Sequence, residues 1–368
     1  MALTDIRTDL WETLKERDLP LALYGTGDGA DKIIHALKTK GLMDKVKAVF
    51  ASDGFVRDRF FAGFKVRSFD DTLAEFGPSG FITLLCFGSS RSEVLNTIDK
   101  IRSKTELYAP DVPVCGTELF DYGFYKANES RLEAVFRMLG DEDSKDIFRN
   151  VINFKLSGDI KYLDLAVSEP DEDLLLSGVR GGFIDLGAYN GDTLARYLDL
   201  LPGISSSAAV EPERHSYKKL VKMAEELSAK GARIDTYNAL AGSTPGTALV
   251  TSAHGRGTRN AGITGQGAGI TNLANAREIS VVTIDKIAET LGGTGFIKFD
   301  VEGEEINAIK GGTDTIKRFK PALKIACYHR SPDLFEIPEQ ILKIRSDYRI
   351  YLRRLKGVPC WDLDYYFV

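Results

Sequence analysis

Three short stretches of this 368-residue chain set acids where strands should end. In Asp185-Leu186-Gly187-Ala188-Tyr189-Asn190-Gly191-Asp192-Thr193 a carboxylate stands just before two glycines that read as a strand-to-helix turn. Bare amides at a helix N-terminus attract phosphate, whereas a carboxylate at the strand end repels it and suits a cationic ligand with an amino group. Glu211 closes the next apolar run, 26 residues after Asp185, where an acid can accept hydrogen bonds from both hydroxyls of a ribose. An amino group, a ribose and a positive charge together describe S-adenosylmethionine.

The third stretch, Lys298-Phe299-Asp300-Val301-Glu302, carries groups for proton transfer. Strand alternation predicts Lys298, Asp300 and Glu302 on one face at a strand's C-terminal end, the end that lines the ligand crevice of an open α/β sheet. Cys327-Tyr328-His329-Arg330 ends the following strand and brings His329 alongside. An imidazole is tuned to take a hydroxyl proton near neutral pH, with Asp300 or Glu302 orienting it or acting instead. The same three side chains form an oxygen-and-nitrogen set of the kind Mg²⁺ accepts, but a metal-free hydrogen-bonded base is favoured. Plainer roles also fit: a satisfied core histidine, a Lys298–Glu302 ion pair, and Asp300 as cap of a helix beginning near Glu304. His35, His215 and His254 fall in no H-E-x-x-H pattern, so zinc hydrolysis has no support.

An earlier turn has the same local grammar and different chemistry. Gly25, Gly27 and Ala30 satisfy G-x-G-x-x-A after an apolar run, and Asp53 ends the next one. Alone this is a weak dinucleotide fingerprint, and glycines kept for packing are favoured over NAD. Arg57, Arg59 and Arg67 near the second strand's exit would suit a diphosphate, although solvated arginines are the simpler account.

The elements that must position these residues fall into two α/β series. Strand and helix patterns alternate as βαβαβ up to about residue 125, which predicts a small Rossmann-like unit with a parallel sheet. Residues 126–177 read as a charged helical connector, and a second βα series fills 178–368. The stretch Ser252–Asn275 is rich in glycine and poor in large apolar residues, so it is expected to be a lid with Arg256 and Arg259 as acceptor contacts.

A net charge of −5, with no Lys/Arg-rich block, argues against nucleic acid or an anionic membrane as the main partner. The four cysteines are widely spaced and form no C-x-x-C pair, which predicts buried, reduced thiols. No stretch approaches the roughly 20 apolar residues that span a bilayer, and the first helix lacks an apolar signal region, so a cytoplasmic location is expected.

The motifs FIDLGAYNGDT, AVEPE, YNALAGSTPG and TIDKI…GFIKFDVEGEEINAIKGG…FKPALKIACYH, in that order, resemble those of FkbM-type S-adenosylmethionine-dependent methyltransferases. The resemblance covers about half the chain. It implies a class I methyltransferase fold, a seven-stranded, mostly parallel sheet with an antiparallel last strand, here preceded by the smaller Rossmann-like α/β domain. RIYLRRLKG and CWDLDYYFV would supply the closing hairpin. It also implies a cofactor site at Asp185, Gly187, Tyr189, Gly191, Thr193, Glu211, Pro212, Asn238, Ala239 and Asp300. Tyr189 departs from the family, where many loops carry glycine; its ring beside a sulfonium would add a cation–π contact of about 0.5–2 kcal/mol. Since the family methylates hydroxyls of sugars, polyketides and related metabolites, the expected acceptor is a small molecule, with a carbohydrate or nucleotide sugar first. Two alternatives stand beside it, an NAD-dependent oxidoreductase using the first turn and a non-catalytic nucleotide-sugar-binding module. Self-association stays open.

Overall fold

The computed structural model describes residues 3–56, 59–169, 171–252, 258–262 and 277–368. The N-terminal series forms strands β1 (Leu21–Tyr24), β2 (Val46–Phe50), β3 (Phe60–Phe61), β4 (Phe64–Arg67), β5 (Ile82–Leu85) and β6 (Glu106–Tyr108), in the order β3-β4-β2-β1-β5-β6. β1, buried throughout, pairs in parallel with β2 and β5. Helices Asp28–Thr39, Phe69–Phe76 and Ser92–Arg102 cover this sheet as the alternating pattern predicts. The short β3–β4 hairpin and β6 lie outside that prediction, because strands of two to four residues leave little periodic signal.

Four helices follow, Tyr122–Met138, Glu142–Ser157, Lys161–Leu165 and Glu172–Leu175. They are fastened to the far end of the chain. Arg353, almost wholly buried, donates to Asp141 and Asp171, and the buried Arg354 donates to the carbonyls of Leu163 and Ala166. Glu172 accepts from Lys324 and from the hydroxyls of Tyr197 and Tyr366. These bonds, with the burial of Phe148, Val151 and Phe154, make the helices one layer of the C-terminal body.

That body is built on β7 (Gly181–Leu186), β8 (Ile204–Val210), β9 (Ile234–Tyr237), β10 (Ala239–Ala241), β11 (Gly246–Ser252), β12 (Thr258–Gly262), β13 (Arg277–Val282), β14 (Phe296–Phe299), β15 (Ala322–Ala326), β16 (Ile350–Arg354) and β17 (Leu363–Phe367). Seven of them form a sheet in the order β16-β17-β15-β14-β7-β8-β9. Only β17 runs against its neighbours β15 and β16, so the expected closing hairpin and antiparallel last strand are present. The direction of chain travel reverses between β7 and β14, which opens a crevice over their C-terminal ends. An additional sheet, β10-β13-β11-β12, was not legible in the sequence.

Much of the glycine-rich stretch expected to form a lid, Arg256 and His254 with it, lies outside the described residues, as does Arg57. Arg259 falls within β12. Of the free cysteines, Cys86, Cys327 and Cys360 are buried and Cys115 is partly exposed. Among the described residues no helix is long and apolar enough to cross a membrane.

Candidate functional site

The glycine turn after β7 exists because its backbone cannot carry a side chain. Gly187 has φ +77, and a Cβ there would stand 1.8 Å from the Asp300 carbonyl oxygen. Gly191, with φ +88, begins the helix Asp192–Leu200 and packs against Met223. Between them Tyr189 takes φ +48 and is 42% exposed. The loop is held down from the neighbouring strand: Val210 carbonyl accepts from the Gly187 and Ala188 amides, both at 3.0 Å.

Glu211 completes that clasp. Its Oε2 accepts from the Tyr189 amide at 2.9 Å and its Oε1 from the Glu213 amide at 2.6 Å. Burial pushes its carboxyl up to about 7 despite those two amides. Asn238 supports it from below, donating to the carbonyls of Glu211 and Pro212 at 2.8 and 3.1 Å.

Asp185 is not where the expectation put it. It is fully buried and does not open on the crevice; Lys298 Nζ approaches it at 3.2 Å, donates to the Gly187 carbonyl at 2.9 Å and stands 3.8 Å from Asp300 Oδ2. Burial raises the Asp185 carboxyl above the ordinary carboxylate range against the pull of Lys298. For Lys298 burial opposes the charge, but Asp185 and Asp300 outweigh it and keep the ammonium charged. The lysine thus carries the effect of the buried acid to the crevice surface. The alternative of a Lys298–Glu302 ion pair gives way to this Asp185–Lys298–Asp300 chain.

Asp300 follows β14, and its side chain is 40% exposed in the crevice. Its Oδ1 accepts from the Tyr328 hydroxyl at 3.2 Å and lies 3.4 Å from His329 Nε2. Burial works against its charge, yet Lys298, His329 and Tyr328 together hold its carboxyl below the usual range. Strand alternation breaks just beyond, since Glu302 takes φ +54; its Oε2 is 4.0 Å from His329 Nε2.

His329 sits beneath these carboxylates, 1% exposed, with Nδ1 at 2.9 Å from Glu305 Oε1. Burial disfavours its charge, but Glu305, Asp300 and Glu302 raise it to about 10. An imidazole raised in this way holds its proton and is a poor acceptor of another. Glu305, which also accepts from the Val301 amide, is the partner that sequence reading missed; only the acidic run after Lys298 hints at it.

These groups border a crevice of about 440 Å³, with Gly187, Tyr189, Thr193, Glu211, Pro212, Lys298 and Asp300 in its wall. Seven carboxylates line it against one lysine, so it is strongly electronegative. Gly191 and Asn238 support the wall from behind, and Ala239 is buried in β10 beside it. Among the described residues no group of three or more His, Cys, Asp or Glu side chains is arranged to hold a metal ion.

Around the first turn the acids are exposed, with Asp28 opening the helix and Asp53 following β2. Gly25 and Gly29 fit tightly: a Cβ would lie 2.8 Å from Phe87 or 2.4 Å from the Cys86 carbonyl. Asp53 is exposed, Arg67 pairs with Glu75, and Arg59 donates to Thr26 Oγ1.

Known proteins agree with this architecture. Over its whole length the chain matches the crystal structure of methyltransferase FkbM from Methylobacillus flagellatus, with a TM-score of 0.69 at 22% identity and 95% of that chain covered, a likeness of fold. Weaker likenesses over 55% and 52% of the chain reach an rRNA methylase from Streptococcus thermophilus (TM-score 0.34, 10% identity, 96% of that chain) and Aeropyrum pernix fibrillarin with natively bound S-adenosyl-L-methionine (0.32, 14%, 66%). No curated protein matches the sequence. Residues 185–350, from the buried acid of β7 to the start of β16, match the model of the methyltransferase FkbM domain. Over residues 185–350 the chain therefore carries the features of a methyltransferase FkbM domain.

Proposed function

We propose that the chain transfers a methyl group from S-adenosylmethionine to a hydroxyl of a carbohydrate acceptor. One observation carries most of this reading: an electronegative crevice in which a side-chain-free turn at Gly187, Glu211 and Asp300 meet at adjacent strand ends. The residues fit the cofactor's parts. Glu211 keeps unused lone pairs for ribose hydroxyls, Tyr189 offers an exposed ring, and Lys298 beside the Gly187 carbonyl offers a positive charge to an amino-acid carboxylate. Asp185 acts on that end through Lys298. Asp185 Oδ1, 3.2 Å from Lys298 Nζ, is the lysine's buried counter-charge.

When bound, S-adenosylmethionine supplies an electrophilic methyl on its sulfonium. The chain's own part is positioning and proton handling. Asp300 accepts a hydrogen bond from the acceptor hydroxyl and takes its proton late, when that oxygen has become acidic. His329, held charged by Glu305, fixes Asp300 in place and keeps it ionised. Mg²⁺ is the less favoured version, because two cations already face Asp300 and would repel a third.

The experiment is a calorimetric titration with S-adenosylhomocysteine, followed by methyl transfer from labelled S-adenosylmethionine to a panel of sugars and nucleotide sugars with and without EDTA. Binding and chelator-resistant O-methylation are expected. Absence of S-adenosylhomocysteine binding would reject the cofactor, and activity abolished by EDTA and restored by Mg²⁺ would reject the metal-free version.

A further inference from the structure

A second, larger cavity of about 680 Å³ lies where the two units meet. One wall is the first glycine turn with the ends of β1, β2 and β5, contributing Tyr24, Gly25, Ser52 and Phe87; the other is the loop Val358–Asp362 before β17. The walls are joined firmly. Ser89 and Val358 exchange two backbone hydrogen bonds, at 2.7 and 3.0 Å, and Trp361 lies so close on Gly88 that a Cβ there would come within 2.3 Å of its ring. Tyr328 and Asp362 line both this cavity and the crevice. The Tyr328 hydroxyl, moreover, is the one that donates to Asp300.

The two spaces have opposite electrical character. Among the described residues lining the cavity, Arg59 and Arg91 are the cations and Asp362, shared with the crevice, the sole acid. Arg59 is anchored at the glycine turn by Thr26 Oγ1 at 2.5 Å. Trp361 and Phe55 present large aromatic surface, 43% and 61% exposed. Guanidinium groups match phosphate oxygens, and aromatic faces stack on the apolar face of a sugar or on a base. A cation cannot gain here what it gains in the crevice.

We infer that this cavity is the acceptor site and that the acceptor is a sugar carrying a diphosphate, its phosphates toward Arg59 and Arg91 and its reacting hydroxyl toward Tyr328 and Asp300. This rests on the methyltransferase reading. It assigns the N-terminal unit a task, recognition of the acceptor, and explains why its glycine turn faces the C-terminal loop.

The chain offers a built-in reporter, because of its two tryptophans Trp11 is buried and Trp361 faces the cavity. The full-length protein is titrated with UDP-, GDP- and ADP-glucose, free glucose, pyrophosphate and NADH while Trp361 fluorescence is followed, and S-adenosylhomocysteine binding is measured in parallel by calorimetry. At least one nucleotide sugar should bind saturably and about tenfold or more tighter than free glucose. Arg59→Glu with Arg91→Glu should weaken it by about tenfold or more while leaving S-adenosylhomocysteine affinity unchanged. Trp361→Phe should abolish the fluorescence change. If S-adenosylhomocysteine binds but no nucleotide sugar or pyrophosphate does, the acceptor assignment falls and the methyltransferase reading stands. Tight NADH binding that excludes the sugars also overturns it, in favour of a dinucleotide site. Failure of S-adenosylhomocysteine itself strikes the methyltransferase reading, a separate result.

Discussion

The chain folds the same strand, glycine turn and helix twice, and the two copies end in opposite chemistry. After β1 the turn meets Phe87 and Cys86, and its surroundings are aromatic and cationic. After β7 the turn meets Asp300 and Glu211, and its surroundings are acidic. The turn itself is nearly neutral in this respect. What differs is the last residue or two of the flanking strands, so a glycine motif says where a ligand can approach and its neighbours say which charge that ligand must bear.

The largest effect should come from separating the two regions. A chain starting at Ala109 keeps Asp111, Asp141, Asp171 and Glu172, hence the partners of Lys155, Arg353 and Lys324. We expect it to fold and bind S-adenosylhomocysteine while losing the acceptor. A chain starting at Gly178 leaves Arg353 buried without its carboxylates and Arg354 without its carbonyls, and should fail to fold, because an uncompensated buried charge costs several kcal/mol. A soluble, cooperative Gly178 fragment would show that the helices are a mere connector.

Within the second region Asp300→Asn should lower kcat by about 10²–10⁴-fold with cofactor affinity nearly intact. Tyr24→Phe, at the matching strand end of the first, should change the acceptor KM and spare kcat. His329→Asn sharpens the assignment through pH. Without the neighbouring imidazolium the Asp300 carboxyl should titrate higher, moving the acid limb of the rate profile to higher pH; an unmoved limb would make His329 a packing residue only.

Next in size is Lys298→Met, which leaves the buried Asp185 unopposed and should cost about 3–5 kcal/mol in denaturant unfolding. Adding Asp185→Asn should recover much of that loss, since removing both members of a buried pair spares the survivor. No recovery in the double variant would mean that the pair does not couple.

Much of this was legible before any coordinates. Asp185, Gly187 and Glu211 stand at strand ends that apolar runs and glycines mark, and the resemblance spans the strands that carry them. The partnerships were not legible. Lys298 finds Asp185 across more than a hundred residues, and nothing local distinguishes that from a pair with Glu302. His329 reads as a tuned base only until Glu305 is seen beneath it. The cavity at the unit boundary joins Tyr24 to Trp361, and a pairing of that range leaves no periodic trace.

Glu211→Ala should weaken cofactor binding by about 1–3 kcal/mol, read by calorimetry. The pH dependence follows from its carboxyl at about 7. Ribose hydroxyls donate to the ionised form, so below that pH a proton must leave before binding. Affinity should therefore fall about tenfold per unit as pH drops below 7 and level off above it. A flat profile from pH 5 to 8 would separate Glu211 from the cofactor.

The smallest effect tests the contrast most directly. Gly187→Ala puts a Cβ 1.8 Å from the Asp300 carbonyl at a positive φ, so it should cost about 2–4 kcal/mol in overpacking and backbone strain, with loss of cofactor binding. Gly27→Ala meets nothing within 4 Å and sits at φ −103, a conformation open to alanine. Alanine caps a helix less well than glycine, but it also lowers the entropy of the unfolded chain, and the two effects nearly cancel to within about 0.5 kcal/mol. Thermal unfolding and S-adenosylhomocysteine affinity of Gly27→Ala should match the parent. If Gly27→Ala destabilises the protein as much as Gly187→Ala, both turns are held by packing alone, and the division of labour drawn between them is refuted.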